Sequence, residues 1–348
     1  MRCLLYSKVS PGVRLTLKKI VALVVTLTVL LLFNKTSDFG NITVSHPEST
    51  NVSSWRRMDS KRACTIISAN NTAVDLSMEQ LSMQELENKF KYLELGGHYI
   101  PKHCSGAHRV AIIIPYRNRP MHLPILLNNF HPFLTEQELD YSIFVVEQIS
   151  NQTFNRGKLL NIGFVEAMKI YDWQCVLLHD VDLLPEDKRN LHVCPQNNPR
   201  HMAVAMDKYN YSLHYDGMFG TSSLLNVKQY RDVNGLSNQY WGWGKEDDDL
   251  FRRIMIAGYE VERYDSTIAR YTMIKHQIDD GNPMNPCREK LFEYTRQQWR
   301  KDGLNSLRYK LINITFTQVY TRILVDLLEE KEKPIIYETF CAEEGVEK

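Results

Sequence analysis

Three stretches of the chain carry residue types able to hold a cation and move a proton. Asp180-Val181-Asp182 follows the apolar run 175–178, and on an extended chain its two carboxylates lie on one side. One can approach a metal while the other accepts hydrogen bonds from a ribose. Tyr240-Trp241-Gly242-Trp243-Gly244-Lys245 leads directly into Glu246-Asp247-Asp248-Asp249. The two tryptophans offer apolar faces for sugar rings, and Gly242 and Gly244 permit movement around Trp243. Carboxylates in a first helical turn gain about 0.3–1 kcal/mol from the helix dipole, so some of these acids need no chemical role. Four in a row repel one another beyond what capping requires, which points to one as a general base for a hydroxyl. Met273-Ile274-Lys275-His276 adds further ligand types, although a thioether suits a hard cation poorly and a lone histidine is more often structural.

These side chains need a scaffold, and the apolar runs supply one. Residues 110–114 read as a fully buried strand ending at Pro115, after which Leu123, Leu126, Leu127 and Phe130 recur at helical spacing. Residues 141–146 form a second strand, 155–171 a helix and 175–178 a third strand. Strand, helix, strand, helix, strand implies a right-handed parallel sheet and an α/β fold. Ligands in such sheets gather at the carboxyl ends of strands. Tyr116-Arg117-Asn118-Arg119, Glu147-Gln148 and His179-Asp180-Val181-Asp182 emerge there, which predicts a nucleotide site. Neither glycine-rich phosphate loop, Gly-x-Gly-x-x-Gly or Gly-x-x-x-x-Gly-Lys, occurs, so a carboxylate-held divalent cation is the expected partner of a diphosphate. The lack of His-Glu-x-x-His argues against a metalloprotease.

Composition narrows the setting. The chain has 348 residues, 43% hydrophobic and 24% charged, enough for a large folded core. Lys and Arg number 42 against 41 Asp and Glu, and the net charge of +1 argues against nucleic acid as a partner. Residues 20–33 are apolar and uncharged, preceded by Arg2, Lys8, Arg14, Lys18 and Lys19. As a helix this run spans about 20 Å, short of the roughly 30 Å hydrocarbon core unless the flanking lysines snorkel. A cleaved signal peptide is the competing reading, but no small-x-small site follows Phe33. The expectation is a cytosolic tail over 1–19, a signal anchor over 20–33, a glycosylated stem over 34–75 and a single lumenal catalytic domain over 76–348. Sequons at Asn34, Asn41, Asn51 and Asn70 cluster in the stem, and Asn151, Asn210 and Asn313 begin others. In an oxidising lumen Cys64 is expected to pair with Cys104 and Cys175 with Cys194, leaving Cys287 and Cys341 as candidate free thiols.

Several of these motifs occur in one order over roughly 104–327. They are Pro115-Tyr116-Arg117-Asn118-Arg119, Phe154-Asn155-Arg156 with Lys158-Leu159-Leu160-Asn161, Asp180-Val181-Asp182, the tryptophan-glycine run with its four acids, Met273 with His276, and Asp302-Gly303-Leu304-Asn305-Ser306-Leu307. Together they resemble the β-1,4-galactosyltransferase family. The resemblance implies a type II Golgi membrane enzyme with a GT-A fold, a mostly parallel Rossmann-like sheet flanked by helices. It also implies Mn²⁺ dependence and inverting transfer from a UDP-sugar to the 4-hydroxyl of a terminal GlcNAc on glycoproteins or glycolipids. On this resemblance Asp182, Met273 and His276 would bind manganese. Pro115, Tyr116, Arg117, Asn118, Arg119, Phe154, Asn155, Arg156, Val181, Asp182, Trp243 and His276 would contact the donor, with Trp243 on a loop that closes over it. Lys245, Glu246, Asp247, Asp248 and Arg288 would hold the acceptor, and Asp247 would be the catalytic base.

The chain departs from the family pattern at four positions. Met218 stands where UDP-galactose users often carry Tyr, and Thr221 follows where a second glycine is usual. The first of these positions is aliphatic in the family's invertebrate N-acetylgalactosaminyl branch, so Met218 leans the expected donor toward UDP-GalNAc rather than UDP-Gal. Lys245 replaces a glycine, and Glu289 stands where an aromatic often packs on the acceptor's acetamido group. These changes motivate an alternative, a membrane-tethered carbohydrate-binding protein without turnover. Retention of Asp182, His276 and Asp247 favours the enzyme.

Overall fold

Apolar runs without polar alternation demand burial on both faces, and the three read from the sequence become neighbours in one sheet. The computed structural model describes residues 64, 72–106, 108–275 and 280–341. Helix α1 (Met83–Lys89) precedes β1 (Arg109–Tyr116), α2 (His122–Glu136), β2 (Asp140–Gln148), α3 (Arg156–Ile170) and β3 (Cys175–His179). Strand β1 lies between β2 and β3 and runs parallel to both, with Ile112 opposite Ile143 on one side and Leu177 on the other. Its alternate side chains face opposite layers. Val110, Ile112 and Ile114 pack with α2, whereas Ala111 and Ile113 pack with α3. Each buried Val or Ile among them contributes about 1.5–3 kcal/mol.

The strand does not stop at Pro115 as the sequence suggests. Pairing with β3 ends at Ile113, while pairing with β2 continues through Tyr116. One edge of β1 is therefore open at Pro115, where a missing N–H is tolerated.

Beyond β3 come β4 (Leu183–Pro185), β5 (Arg200–His201), β6 (Ala205–Met206), β7 (Ser222–Asn226), α4 (Val227–Asp232) and α5 (Glu246–Ile256). They are followed by β8 (Glu262–Arg263), β9 (Arg270–Met273), α6 (Arg288–Glu293), α7 (Thr295–Gln298), β10 (Lys310–Phe316), β11 (Thr321–Asp326) and α8 (Glu329–Phe340). The larger sheet has the order β10-β11-β2-β1-β3-β7-β5-β8, and β4-β9-β6 form a smaller one. β11, β2, β1 and β3 are mutually parallel, while β10 and β7 run antiparallel to their inner neighbours.

Covalent links fix the periphery. Cys64–Cys104 and Cys175–Cys194 form as expected, with Cα atoms 4.9 and 5.5 Å apart. Cys287 and Cys341 are not free thiols: they form a third disulfide, Cα to Cα 5.0 Å, across 54 residues of sequence. Packing of the start of α6 beside the end of α8 brings them together, and no local spacing could announce it. Thr72 and Val74, placed by sequence at the end of the stem, exchange backbone bonds with Lys188 and Glu186. The expected tail, anchor and nearly all of the stem lie outside the described residues. Among the described residues no helix is long and apolar enough to cross a membrane.

Candidate active site

The carboxyl ends of β1 and β3, the start of α3 and the start of α5 enclose a cavity of about 950 Å³, at the upper end for ligand sites. Pro115, Arg117, Arg119, Phe154, Arg156, Val181, Asp182, Met218, Trp243, Lys245, Glu246, Asp247, Asp248, Met273 and Arg288 all line it. Thus most of the residues singled out by sequence, scattered over some 170 positions, share one wall or another of the same space. His276 lies outside the described residues.

Not every expected group reaches the cavity. Tyr116 and Glu147 line a separate cavity of about 560 Å³, where Glu147 pairs with Arg322 at 2.6 Å. Gln148 turns to the carbonyls of Gln152 and Thr153. Asn155 is fully buried and caps α3, accepting the Lys158 N–H at 3.0 Å and donating to the Asn238 carbonyl at 2.8 Å. Asn118 occupies a left-handed turn, φ 45°, between the two cavity-lining arginines.

Asp180 and Asp182 do not share one side of an extended strand. The chain turns at Val181-Asp182 to leave the large sheet for β4. Asp180 instead accepts the Arg156 Nε–H at 2.7 Å, and the same guanidinium lies 3.8 Å from Glu246. Asp182 is carried to Met273 by the β4–β9 pairing: Leu183 faces Met273, and the Asp182 carbonyl accepts the Ile274 N–H at 2.7 Å. Asp207 steadies the other strand by accepting the Met273 N–H at 2.9 Å.

The tryptophans divide. Trp241 is fully buried with the Lys158 ammonium 5.4 Å from its ring, so it is core rather than a sugar platform. Trp243 is 59% exposed and lines the cavity. Gly242 stands at φ 93°, donates to the Phe154 carbonyl at 2.8 Å, and would place a Cβ 2.3 Å from the Pro283 carbonyl oxygen. Close backbone approach thus explains this glycine in the present arrangement.

The four acids occupy four environments. Glu246 faces Arg156; burial, then repulsion from Asp247, pushes its carboxyl up to about 7, against the pull of Arg156. Asp247 abuts Gly220, and burial with the nearby Asp248 charge raises its carboxyl above the usual range while Arg156 opposes. Asp248 accepts the Tyr215 hydroxyl at 2.7 Å and pairs with Lys245 at 3.1 Å. Asp249 is structural, bound by Arg253 at 2.5 Å and Thr295 at 2.6 Å. Burial raises Asp180 as well, with Arg156 opposing and Asp182 adding to the rise.

Sequence reasoning missed part of the far wall. Phe292 carries the Arg252 guanidinium 3.4 Å and the Lys245 ammonium 5.0 Å from its ring centre. Its spacing of four residues from Arg288 on α6 was the available signal. Tyr215 and the stacked Tyr209–His214 pair, centroids 4.2 Å apart, sit in loop sequence without periodicity. Asp182 and Met273, which line the same cavity on neighbouring strand ends, could hold a cation there, and positive charge would relieve the repulsion among the nearby Asp180, Glu246 and Asp247.

A mostly parallel sheet flanked by helices, with an acid-rich, aromatic-rimmed cavity at its strand ends, is the architecture of a GT-A type α/β domain. Residues 64–195 match the family model described as the N-terminal region of glycosyl transferase group 7, and 200–277 that described as the N-terminal domain of galactosyltransferase. The chain is 46% identical to β-1,4-galactosyltransferase 3 of Bos taurus over 253 residues, 73% of this chain and 64% of that protein. It is 42% identical to β-1,4-galactosyltransferase 4 of Cricetulus griseus over 246 residues, 71% of each. The catalytic domain of Drosophila β1,4-galactosyltransferase 7, solved with xylobiose, superposes with a TM-score of 0.56 at 32% identity, covering 66% of this chain and 99% of that domain. A variant of that domain was solved with manganese, UDP-Gal and xylobiose. The chain belongs to the β-1,4-galactosyltransferase family. It spans 64% of the length of the first of these curated relatives.

Proposed function

We propose that the chain is an inverting β-1,4-glycosyltransferase moving GalNAc or Gal from a UDP-sugar to the 4-hydroxyl of a terminal GlcNAc on glycoproteins or glycolipids. The carrying observation is one cavity lined by the half-buried Asp247 on one side and by Asp182 and Met273 on another. Arg117 and Arg119 supply positive charge for the diphosphate. Trp243 offers its exposed face to a sugar ring, and Asp248, steadied by Tyr215 and Lys245, accepts hydrogen bonds from the acceptor. Asp247 takes the proton of the acceptor hydroxyl as that oxygen bonds to the anomeric carbon and the bond from carbon to the UDP oxygen breaks on the opposite face. Manganese held by Asp182, Met273 and His276 would neutralise charge growing on the departing diphosphate.

The donor reading rests on Met218, which lines the cavity at 4% exposure. Its flexible thioether yields space that a phenol would hold, so GalNAc is favoured. The names of the relatives favour the second reading, a strict UDP-galactose enzyme. UDP-Gal and UDP-GalNAc compared on a GlcNAc-terminated acceptor with Mn²⁺ decide, with Met218→Tyr included. Wild type is expected to use both, and the variant to turn toward galactose. Transfer from neither donor overturns the enzymatic reading. The proposed setting is the Golgi membrane, with 20–33 as a type II anchor and the catalytic domain lumenal; the basic residues before that run and the sequons after it support this.

A further inference from the structure

Just before β7, two adjacent peptides touch opposite sides of the cavity. Gly220 lies so close to the Asp247 carboxylate that a Cβ there would sit 2.3 Å from Oδ2. The Thr221 carbonyl accepts the Asp180 N–H at 2.8 Å, extending the antiparallel register in which His179 faces Ser222. Between these contacts the Ser222 N–H donates to the Gly220 carbonyl at 2.7 Å with Thr221 at φ 64°. That is a γ-turn of the rare, strained sense, centred on a β-branched residue. The Thr221 hydroxyl donates to the Gly220 carbonyl at 2.6 Å, and its side chain lines the cavity.

Strained residues persist where their surroundings over-determine them, and they cluster at functional sites. The β3–β7 ladder holds the far side of this turn. On the near side the hydroxyl holds the Gly220 carbonyl. We propose that Thr221 is a positioning residue whose hydroxyl clamps the left-handed turn that seats Gly220 against Asp247. The clamp thereby fixes the base relative to the end of β3. This rests on the reading of Asp247 as the base. Because the function lies in backbone conformation, glycine at 221 takes the turn without strain and needs no clamp. Alanine keeps the strain and loses the clamp.

Thr221→Ser, Thr221→Ala and Thr221→Gly in the full chain test this through kcat, both KM values and the melting temperature. Ser and Gly are expected within about twofold of wild-type kcat. Ala should lose about tenfold in kcat with both KM values within about twofold, because a displaced base slows turnover without weakening binding. Alanine turning over as fast as serine overturns the proposal. So does glycine falling with alanine, which assigns the side chain to substrate contact. If alanine does not fold, Thr221→Val replaces it with the same expectation. Asp247→Asn run alongside separates the two claims: turnover retained there removes the base assignment, whatever the order among the 221 variants.

Discussion

Asp249 commits its carboxylate to Arg253 and Thr295, whereas the Asp247 carboxylate, two residues earlier in the same turn, accepts the Asp248 N–H at 3.0 Å and lies against Gly220. Spacing on α5 does not separate these acids; their neighbours do. The proposed role of Asp247 as general base requires its ionised form, and burial with the Asp248 charge raises its carboxyl. On that proposal, activity is expected above that raised value and should be lost as pH falls through it. The acid limb of kcat/KM is expected above the ordinary aspartate range of about 3.9. Asp248→Asn removes one source of the rise and should move the limb to lower pH; an unmoved limb refutes this cause. Asp247→Asn should cost about 10²–10⁴-fold in kcat while calorimetry still registers UDP.

Helix α3 carries Arg156 into the cavity, and its placement depends on close contact with the sheet. A Cβ added at Gly163 would lie 2.3 Å from the Ile113 Cγ2 and 2.8 Å from the Val146 Cγ2. Neither β-branched side chain has room to move in a buried sheet face. Gly163→Ala should destabilise the fold by about 1–3 kcal/mol, read by denaturant unfolding. Its activity should fall too, because lifting α3 draws Arg156 away from Asp180. Unchanged stability would mean that α3 and the sheet are less tightly packed than this geometry implies.

The three disulfides close loops of different length around one sheet. In the chain-entropy picture the 19-residue separation of Cys175–Cys194 stabilises by about 3 kcal/mol and the 54-residue separation of Cys287–Cys341 by about 4 kcal/mol. Paired serine substitutions should therefore lower the denaturation midpoint more for Cys287–Cys341 than for Cys175–Cys194. The reverse order would place the effect in native contacts rather than loop closure. Across the cavity, binding of UDP should weaken after exhaustive chelation and return with Mn²⁺. Equal affinity with and without chelator defeats the cation site assigned to Asp182 and Met273.

The order of elements around β1, β2 and β3 was legible because 110–114, 141–146 and 175–178 are apolar without alternation, which only a sheet covered on both faces accommodates. The polar ends of the first and third runs, together with the motif order over 104–327, pointed to most of the cavity residues and to the family, while Glu147-Gln148 at the end of the second faces elsewhere. Other assignments depended on contacts between segments distant in sequence. Trp241 and Trp243 are chemically alike and two residues apart, yet one is core and the other faces the cavity. Asp180 and Asp182 both line the cavity but take different partners, because the chain turns at 181–182 where no local pattern marks it. The pairing of Cys287 with Cys341, the Phe292 wall and the strained turn at Thr221 each exist only because separate elements meet. Local sequence sets what a segment buries and where it turns polar. Which groups end within hydrogen-bond reach of one another is decided by packing, since only the folded chain sets distances across it.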